Sequence, residues 1–194
     1  MLVVEDGVIL EDYDEFINIG QPLPSKITEI TSITDEMLEK EGIDEKKVAL
    51  DLKERLTKGT LMIAHNAQFD LAFVYSLLER HFPEEVDGIV ENLKWLDTLT
   101  VFKDRKEYPH KLIDAVEYYE IEKVQFHRAK DDTRALYYVT QELKYERDDL
   151  KEYINIFGYN PKYGVGGPRF DFIVYKPQYY NNFMVSPQRI LPRR

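Results

Sequence analysis

Residues 64–70 read Ala64-His65-Asn66-Ala67-Gln68-Phe69-Asp70, and they stand where a short apolar run, Leu61-Met62-Ile63-Ala64, gives way to a helical pattern. Four consecutive apolar residues without polar alternation are what a strand buried in a parallel sheet shows. Leu71, Val74, Leu78 and Phe82 then recur at three- and four-residue intervals, which predicts a helix from about Phe69 to His81 with those side chains inward. A strand running directly into a helix presents polar side chains at the edge of a sheet, a common place for a site in an α/β protein. His65, Asn66 and Asp70 are the polar groups so placed. Helix capping by Asn66 beside a solvated Asp70 explains the same residues equally well on spacing alone.

Upstream of this junction, Leu2-Val3-Val4 and Val8-Ile9-Leu10 flank Glu5-Asp6-Gly7, the signature of a hairpin turn. A second strand is expected over 14–19, ending at Gly20, and Gln21-Pro22-Leu23-Pro24 reads as a loop. Thr34 is placed to cap a short helix, and Val48, Leu52 and Leu56 give a longer helix one apolar face between about Asp44 and Leu56. Downstream, Trp95-Leu96 reads as another buried strand, with Asp97-Thr98 capping the helix after it. Two further helices are expected over 111–119 and 132–144. A hairpin followed by strands alternating with helices predicts an α/β layer fold with a mixed sheet.

A second polar cluster, His127-Arg128-Ala129-Lys130-Asp131-Asp132, stands at a loop-to-helix boundary. Asp132 falls in the first helical turn, where the dipole favours a carboxylate. A histidine with an ordinary pKa of about 6.5 can act as a general base, although a capping Asp beside a surface His is the commoner arrangement. Joined with Asp70, the cluster supplies two carboxylates and an imidazole, an inventory suited to a phosphodiesterase using magnesium or manganese. His65 and His110 read as packing or capping residues, His81 as a helix C-terminal residue, and Trp95 as core.

Composition sets the outer bounds. A chain of 194 residues, 43% apolar and 32% charged, can build one domain with a real core. It has no cysteine, which excludes disulfide scaffolds, thiolate metal sites and cysteine nucleophiles and makes a cytoplasmic location the default. No apolar run approaches a membrane span, and Met1–Asp6 lacks the features of a secretory signal. The net charge is −10, but residues 158–194 hold six basic side chains and one acid, which leaves −15 on residues 1–157. The division expected is therefore an acidic body, 1–157, and a basic tail, 158–194, rich in Pro, Gly and aromatic residues. Tyr159, Tyr163, Tyr175, Tyr179 and Tyr180, interleaved with Lys162, Arg169 and Lys176, suit either base stacking or an apron packed on the body.

The two polar clusters, in this order and spacing, resemble the DEDDh 3′–5′ exonucleases, the group of the proofreading epsilon subunit of bacterial replicative polymerase. Val4-Glu5-Asp6-Gly7, Gly20-Gln21-Pro22 and Ile33-Thr34-Asp35-Glu36-Met37-Leu38 look like the family's second and third strands and the run after them. Residues 64–70 look like its second motif, Asp97-Thr98-Leu99 like its following strand end, and residues 127–132 like its third motif. The resemblance, which runs to about residue 145, implies a ribonuclease-H-like fold and release of nucleoside monophosphates from single-stranded DNA or RNA 3′ ends. It also implies Asp70 and Asp132 as ligands of Mg2+ or Mn2+, His127 as the base, and Asn66, His65 and Phe69 at the substrate edge. A DNA polymerase is an expected partner. The family's first motif, an Asp-x-Glu on the central first strand, belongs upstream of the hairpin, so that strand is expected to be missing and metal binding weak. A start lying further upstream, a degenerate relative that still binds nucleic-acid ends, and a second chain supplying the strand are the readings open, the intact Asp70, His127 and Asp132 favouring the first. Asp12-Tyr13-Asp14 has the chemistry of a substitute, but its acids are expected to face solvent at the hairpin edge.

Overall fold

The computed structural model describes residues 1–121, 129–179 and 190–191. Strands β1 (Leu2–Glu5) and β2 (Val8–Asp12) form the expected antiparallel hairpin. Its turn residues Asp6 and Gly7 both take positive φ, 49° and 79°, the twist that a two-residue hairpin loop needs. The strand expected over 14–19 shortens to β3 (Ile17–Asn18), paired in parallel with β4 (Ile43–Asp44). Asn18 turns its side chain back to accept from the Gly20 N–H at 2.8 Å, and Gly20 (φ 68°) redirects the chain before further pairs form.

The loop ending at Pro24 leads into α1 (Ser25–Thr31), a helix without a buried residue and so without an apolar stripe to announce it. Helix α2 (Asp35–Glu41) is capped as expected, Thr34 accepting from the Met37 N–H at 3.2 Å. Helix α3 (Glu45–Arg55) starts at Asp44, whose carboxylate accepts from the Lys46 and Lys47 N–H groups; it buries Val48 and Ala49, and Leu56 is buried just past its end.

The layer that positions the site begins with β5 (Leu61–Ala64), which runs parallel to β6 (Lys94–Asp97) with Ala64 opposite Asp97. Helix α4 (Ala67–His81) follows β5, starting two residues earlier than expected, and α5 (Val86–Val90) leads to β6. Helices α6 (Thr98–Arg105), α7 (Leu112–Tyr118) and α8 (Ala129–Glu146) come next. A short 3-10 turn at Leu150–Tyr153 then precedes β7 (Ile156–Tyr159), which pairs in parallel with β8 (Val174–Pro177). Asn155 joins the two strand pairs: its N–H donates to the Trp95 carbonyl and its side chain accepts from the Trp95 N–H, both at 2.8 Å.

This is an α/β fold of the ribonuclease-H-like kind, one antiparallel hairpin and three parallel pairs flanked by helices. Among the described residues the strands pair two by two, and β5 has a strand on one flank only. The expectation that β5 is buried is therefore corrected: Leu61 and Ile63 stay 42% and 36% exposed.

Strand β6 divides the core by its alternation, Trp95 facing one side and Leu96 the other. Trp95 packs with Leu71, Leu78, Val86 and Phe157; Leu96 packs with Phe102, Ala135, Val139 and Tyr153. Phe170 and Ile173 of the basic tail join the Trp95 cluster, so this stretch of the tail is an apron on the body. Arg105, almost fully buried, donates to the Leu143 carbonyl at 2.6 Å and pairs with Asp149, fixing α6 against the end of α8. No helix among the described residues is long and apolar enough to cross a membrane.

The apron is set by one close approach. Gly158 donates its N–H to Thr100 Oγ1 at 2.7 Å, and a Cβ there would stand 1.8 Å from Gln178 Oε1. Gln178 is only 2% exposed and donates through Nε2 to the Thr100 carbonyl at 3.0 Å, so it has no room to swing aside. Gly158→Ala is expected to cost about 1–3 kcal/mol by overpacking. Thermal denaturation will read this as roughly 2–4 °C per kcal/mol in a chain of this size. An unchanged melting temperature would mean that the apron yields at this point.

Candidate active site at the end of the fifth strand

The turn from β5 into α4 is held from outside itself. Asn66 adopts the left-handed conformation (φ 80°), and its side chain makes no capping bond, which corrects the capping alternative. The neighbouring strand end does the work instead. Asp97, 3% exposed, accepts through Oδ1 from the N–H groups of Asn66 (2.9 Å), Ala67 (3.2 Å) and Leu99 (3.1 Å). Its Oδ2 accepts from the Thr100 hydroxyl at 2.5 Å. One carboxylate thus caps two helices, α4 and α6, and fixes the residues between β5 and Asp70. The sequence shows Asp97 as the cap of α6; its reach to α4 depends on the parallel register and has no local signal.

His65 is a strut in the same assembly. Its Nε2 lies 2.9 Å from the His110 carbonyl, which can only accept, and its Nδ1 lies 3.1 Å from Thr98 Oγ1. Burial, the largest influence, lowers the pKa of His65, and burial likewise lowers that of His110. Both rings are therefore neutral at pH 7, with the Nε2 proton of His65 assigned from its partner.

Asp70 stands in the first turn of α4, where burial and the nearby Asp97 charge raise its pKa to about 6. Among the described residues no basic side chain pairs with it. Asp132 lies half-buried in the first turn of α8. His127 lies outside the described residues. Asn66, His65 and Phe69 line one cleft with Lys103, His110 and Lys111, a grouping that neither polar cluster predicts by itself.

Asp12 departs from its expected solvent-facing position. It accepts from Arg134 at 2.7 Å and pairs with Lys130 at 3.1 Å, contacts that hold its carboxyl below the usual range, the Arg134 hydrogen bond foremost. It docks the hairpin on α8, with the Tyr137 hydroxyl donating to the Gly7 carbonyl at 2.9 Å beside it.

Hard divalent cations take oxygen ligands, and Asp70 and Asp132 are of that type. The raised pKa of Asp70 marks a carboxylate whose charge a cation would stabilise. Among the described residues, however, no three His, Asp or Glu side chains gather as a metal site. The donors fit such an ion in kind and fall short of a two-ion site in number.

Comparison with known proteins decides the relationship. The family described as Exonuclease, of the RNase T type, matches residues 2–140, which include both polar clusters. The chain belongs to this exonuclease family. Two relatives each align with 84% of this chain and with 11% of their own length. They are a DNA polymerase III PolC-type of Latilactobacillus sakei, 30% identical over 165 residues, and one of Lacticaseibacillus paracasei, 28% identical over 167. A third, from Streptococcus pyogenes, is 36% identical over 96 residues, covering 48% of this chain and 6% of the relative. The chain thus spans about a tenth of the length of the curated relatives it matches over most of its residues.

Two outcomes follow from the Asp97–Asp70 arrangement. Asp97→Ala strips an acceptor from three backbone N–H groups and a hydroxyl and is expected to cost on the order of 3 kcal/mol in urea denaturation. Asp97→Asn, which keeps one carbonyl acceptor, should fall between it and the parent. For Asp70 the sign is the reverse. Its folded pKa of about 6 lies above the ordinary aspartate value, so the folded state loses stability as pH rises from about 4 through 6. In metal-free buffer Asp70→Asn should therefore melt higher than the parent at pH 7 and match it near pH 4. Equal melting temperatures at both pH values would rule out a disfavoured charge at Asp70.

Proposed function

We propose that this domain is a metal-dependent 3′–5′ exonuclease that hydrolyses phosphodiester bonds at single-stranded DNA or RNA 3′ ends and releases nucleoside monophosphates. The observation that carries this reading is the family match over residues 2–140, which spans Asp70, His127 and Asp132 in the order and spacing of the second and third motifs. In it, Asp70 and Asp132 hold Mg2+ or Mn2+ and His127 accepts the proton of the attacking water. The bound ion supplies positive charge to the phosphate oxygens as negative charge develops there. Asn66, His65 and Phe69 form the substrate edge. The names of the relatives support proofreading beside a DNA polymerase as the setting, and the cysteine-free composition supports the cytoplasm as the compartment.

A second reading, a non-catalytic nucleic-acid-binding module of the same fold, is favoured by the engagement of Asp12 with two cations and by the shortage of gathered carboxylates among the described residues. Degradation of a 5′-labelled single-stranded oligonucleotide with manganese, beside an Asp132→Ala control, separates the two. The nuclease reading expects a ladder shortening from the 3′ end that the control abolishes. Strand binding without any shortening in either protein would establish the binding module.

A further inference from the structure

A cleft of about 910 Å³ lies between the first turns of α4, the α6–α7 connection and the loop that follows β7. The third wall lies beyond residue 140, outside the stretch that the family match covers. Around the cleft, Phe69, Phe73, Tyr108 and Tyr163 remain 59%, 64%, 59% and 75% exposed. Four large rings left wet around one concavity are an unfavourable surface in isolation and mark a place where something flat and apolar docks. Phe69 and Phe73, with centroids 4.6 Å apart, make one aromatic face, and Tyr163 stands on the wall contributed by the β7 loop.

The charge of the cleft runs against that of the molecule. The chain carries a net charge of −10, yet the charged side chains lining the cleft are Lys103 and Lys111 against Asp114. Asp114 spends its carboxylate on the Lys111 backbone N–H. The Lys111 ammonium makes no ion pair among the described residues. Aromatic faces beside an available ammonium are the complement of a base carrying a phosphate.

The wall is built to hold its place. Gln68, on α4, donates through Nε2 to the Pro168 carbonyl at 2.6 Å and accepts through Oε1 from the Tyr175 hydroxyl at 3.0 Å. The Asn160 carbonyl accepts from the N–H groups of Tyr163 (3.0 Å) and Gly164 (2.9 Å), and its side chain accepts from the Lys162 N–H at 2.9 Å. Tyr163 is therefore presented on a closed turn. Lys162 Nζ lies 4.9 Å from its ring centroid and adds a second positive charge beside it.

We propose that this cleft binds one unpaired nucleoside phosphate unit, its base against the rings of Phe69, Phe73 and Tyr163 and its phosphate toward Lys111. The unit is either a nucleotide within a single strand or a free mononucleotide. The assignment rests on the exonuclease reading for its setting, and it makes the β7 loop a substrate wall.

The test separates binding from chemistry. Fluorescence anisotropy of a short 5′-labelled oligothymidylate, titrated with the full chain in EDTA, measures binding with no turnover. Tyr163→Ala is expected to weaken binding about five-fold or more, with Tyr163→Phe close to the parent. Lys111→Ala should also weaken it and lower the salt slope by about one. Tyr145→Ala, a substitution at a 91% exposed ring on α8 outside the cleft, should leave it unchanged. Competition by thymidine monophosphate at concentrations comparable to the unlabelled oligonucleotide identifies the free nucleotide as the occupant; displacement by the oligonucleotide alone identifies the strand. Parent-like affinity in both Tyr163→Ala and Lys111→Ala overturns the cleft assignment, even where the parent degrades the oligonucleotide with manganese. Weakened binding in those variants, with no degradation by the parent, upholds the cleft while the exonuclease reading fails.

Discussion

The Asp97 carboxylate is the constraint on which the site depends. Two parallel strands, β5 and β6, each end by releasing a helix, and each helix begins with backbone N–H groups that no intrahelical carbonyl can satisfy. Because the register sets Ala64 opposite Asp97, a single buried acid can serve both starts. Asn66 is then free to take a left-handed conformation, and its side chain, released from capping, is left for the cleft. The same carboxylate adds its charge to the forces that make ionisation of Asp70 unfavourable. Structure and electrostatics at the junction are thus two consequences of one placement.

Much of this was legible in the sequence because it is local. The Asp6-Gly7 turn, the Thr34 and Asp97 caps, the Val48-Leu52-Leu56 stripe and the Leu71-Leu78 face each declare themselves within a few residues. What escaped depends on distant partners. Helix α1 buries nothing, so no periodicity marks it. Strand β3 stops after two residues because the Asn18 side chain competes for the backbone. Asp12 looked like a solvent-facing acid, and only the docking of α8 brings Lys130 and Arg134 to it. At the site itself, Asn66, His65 and Phe69 are read from one motif, whereas Lys103, His110 and Lys111 join them through the packing of α6 and the chain that follows it. His127 lies outside the described residues, so its placement rests on the motif alone.

The hairpin and the body are held by a different balance of forces. The core clusters bury Trp95, Phe102, Phe157 and Tyr153 almost completely. The hairpin instead leaves Val4, Val8, Ile9 and Leu10 exposed and is tied down by polar contacts, Glu11 to Arg55 and Asp12 to Lys130 and Arg134. Partly exposed ion pairs contribute little individually and weaken with salt. The attachment of the hairpin is accordingly sensitive to ionic strength, and α8, which carries Asp132, shares it.

Helix α4 connects the remaining pieces. Its first turn bears Asp70, its Phe69 and Phe73 face the cleft, and its Gln68 grips the apron through both ends of one amide. Replacing a side chain that donates to Pro168 and accepts from Tyr175 by an apolar one removes both hydrogen bonds that tie α4 to the apron at this point. The segment beyond the family match is therefore coupled to the motif by geometry, although it lies a hundred residues away. Because that segment also carries Phe170 and Ile173 into the Trp95 cluster, the wall of the cleft is anchored in the core of the domain. A wall fixed in this way holds its aromatic ring ready before any ligand arrives, which lowers the ordering cost of binding. The tail is thus built into the surface of the body, and its Tyr163 lines the same cleft as Phe69, Phe73 and Lys111 of the body.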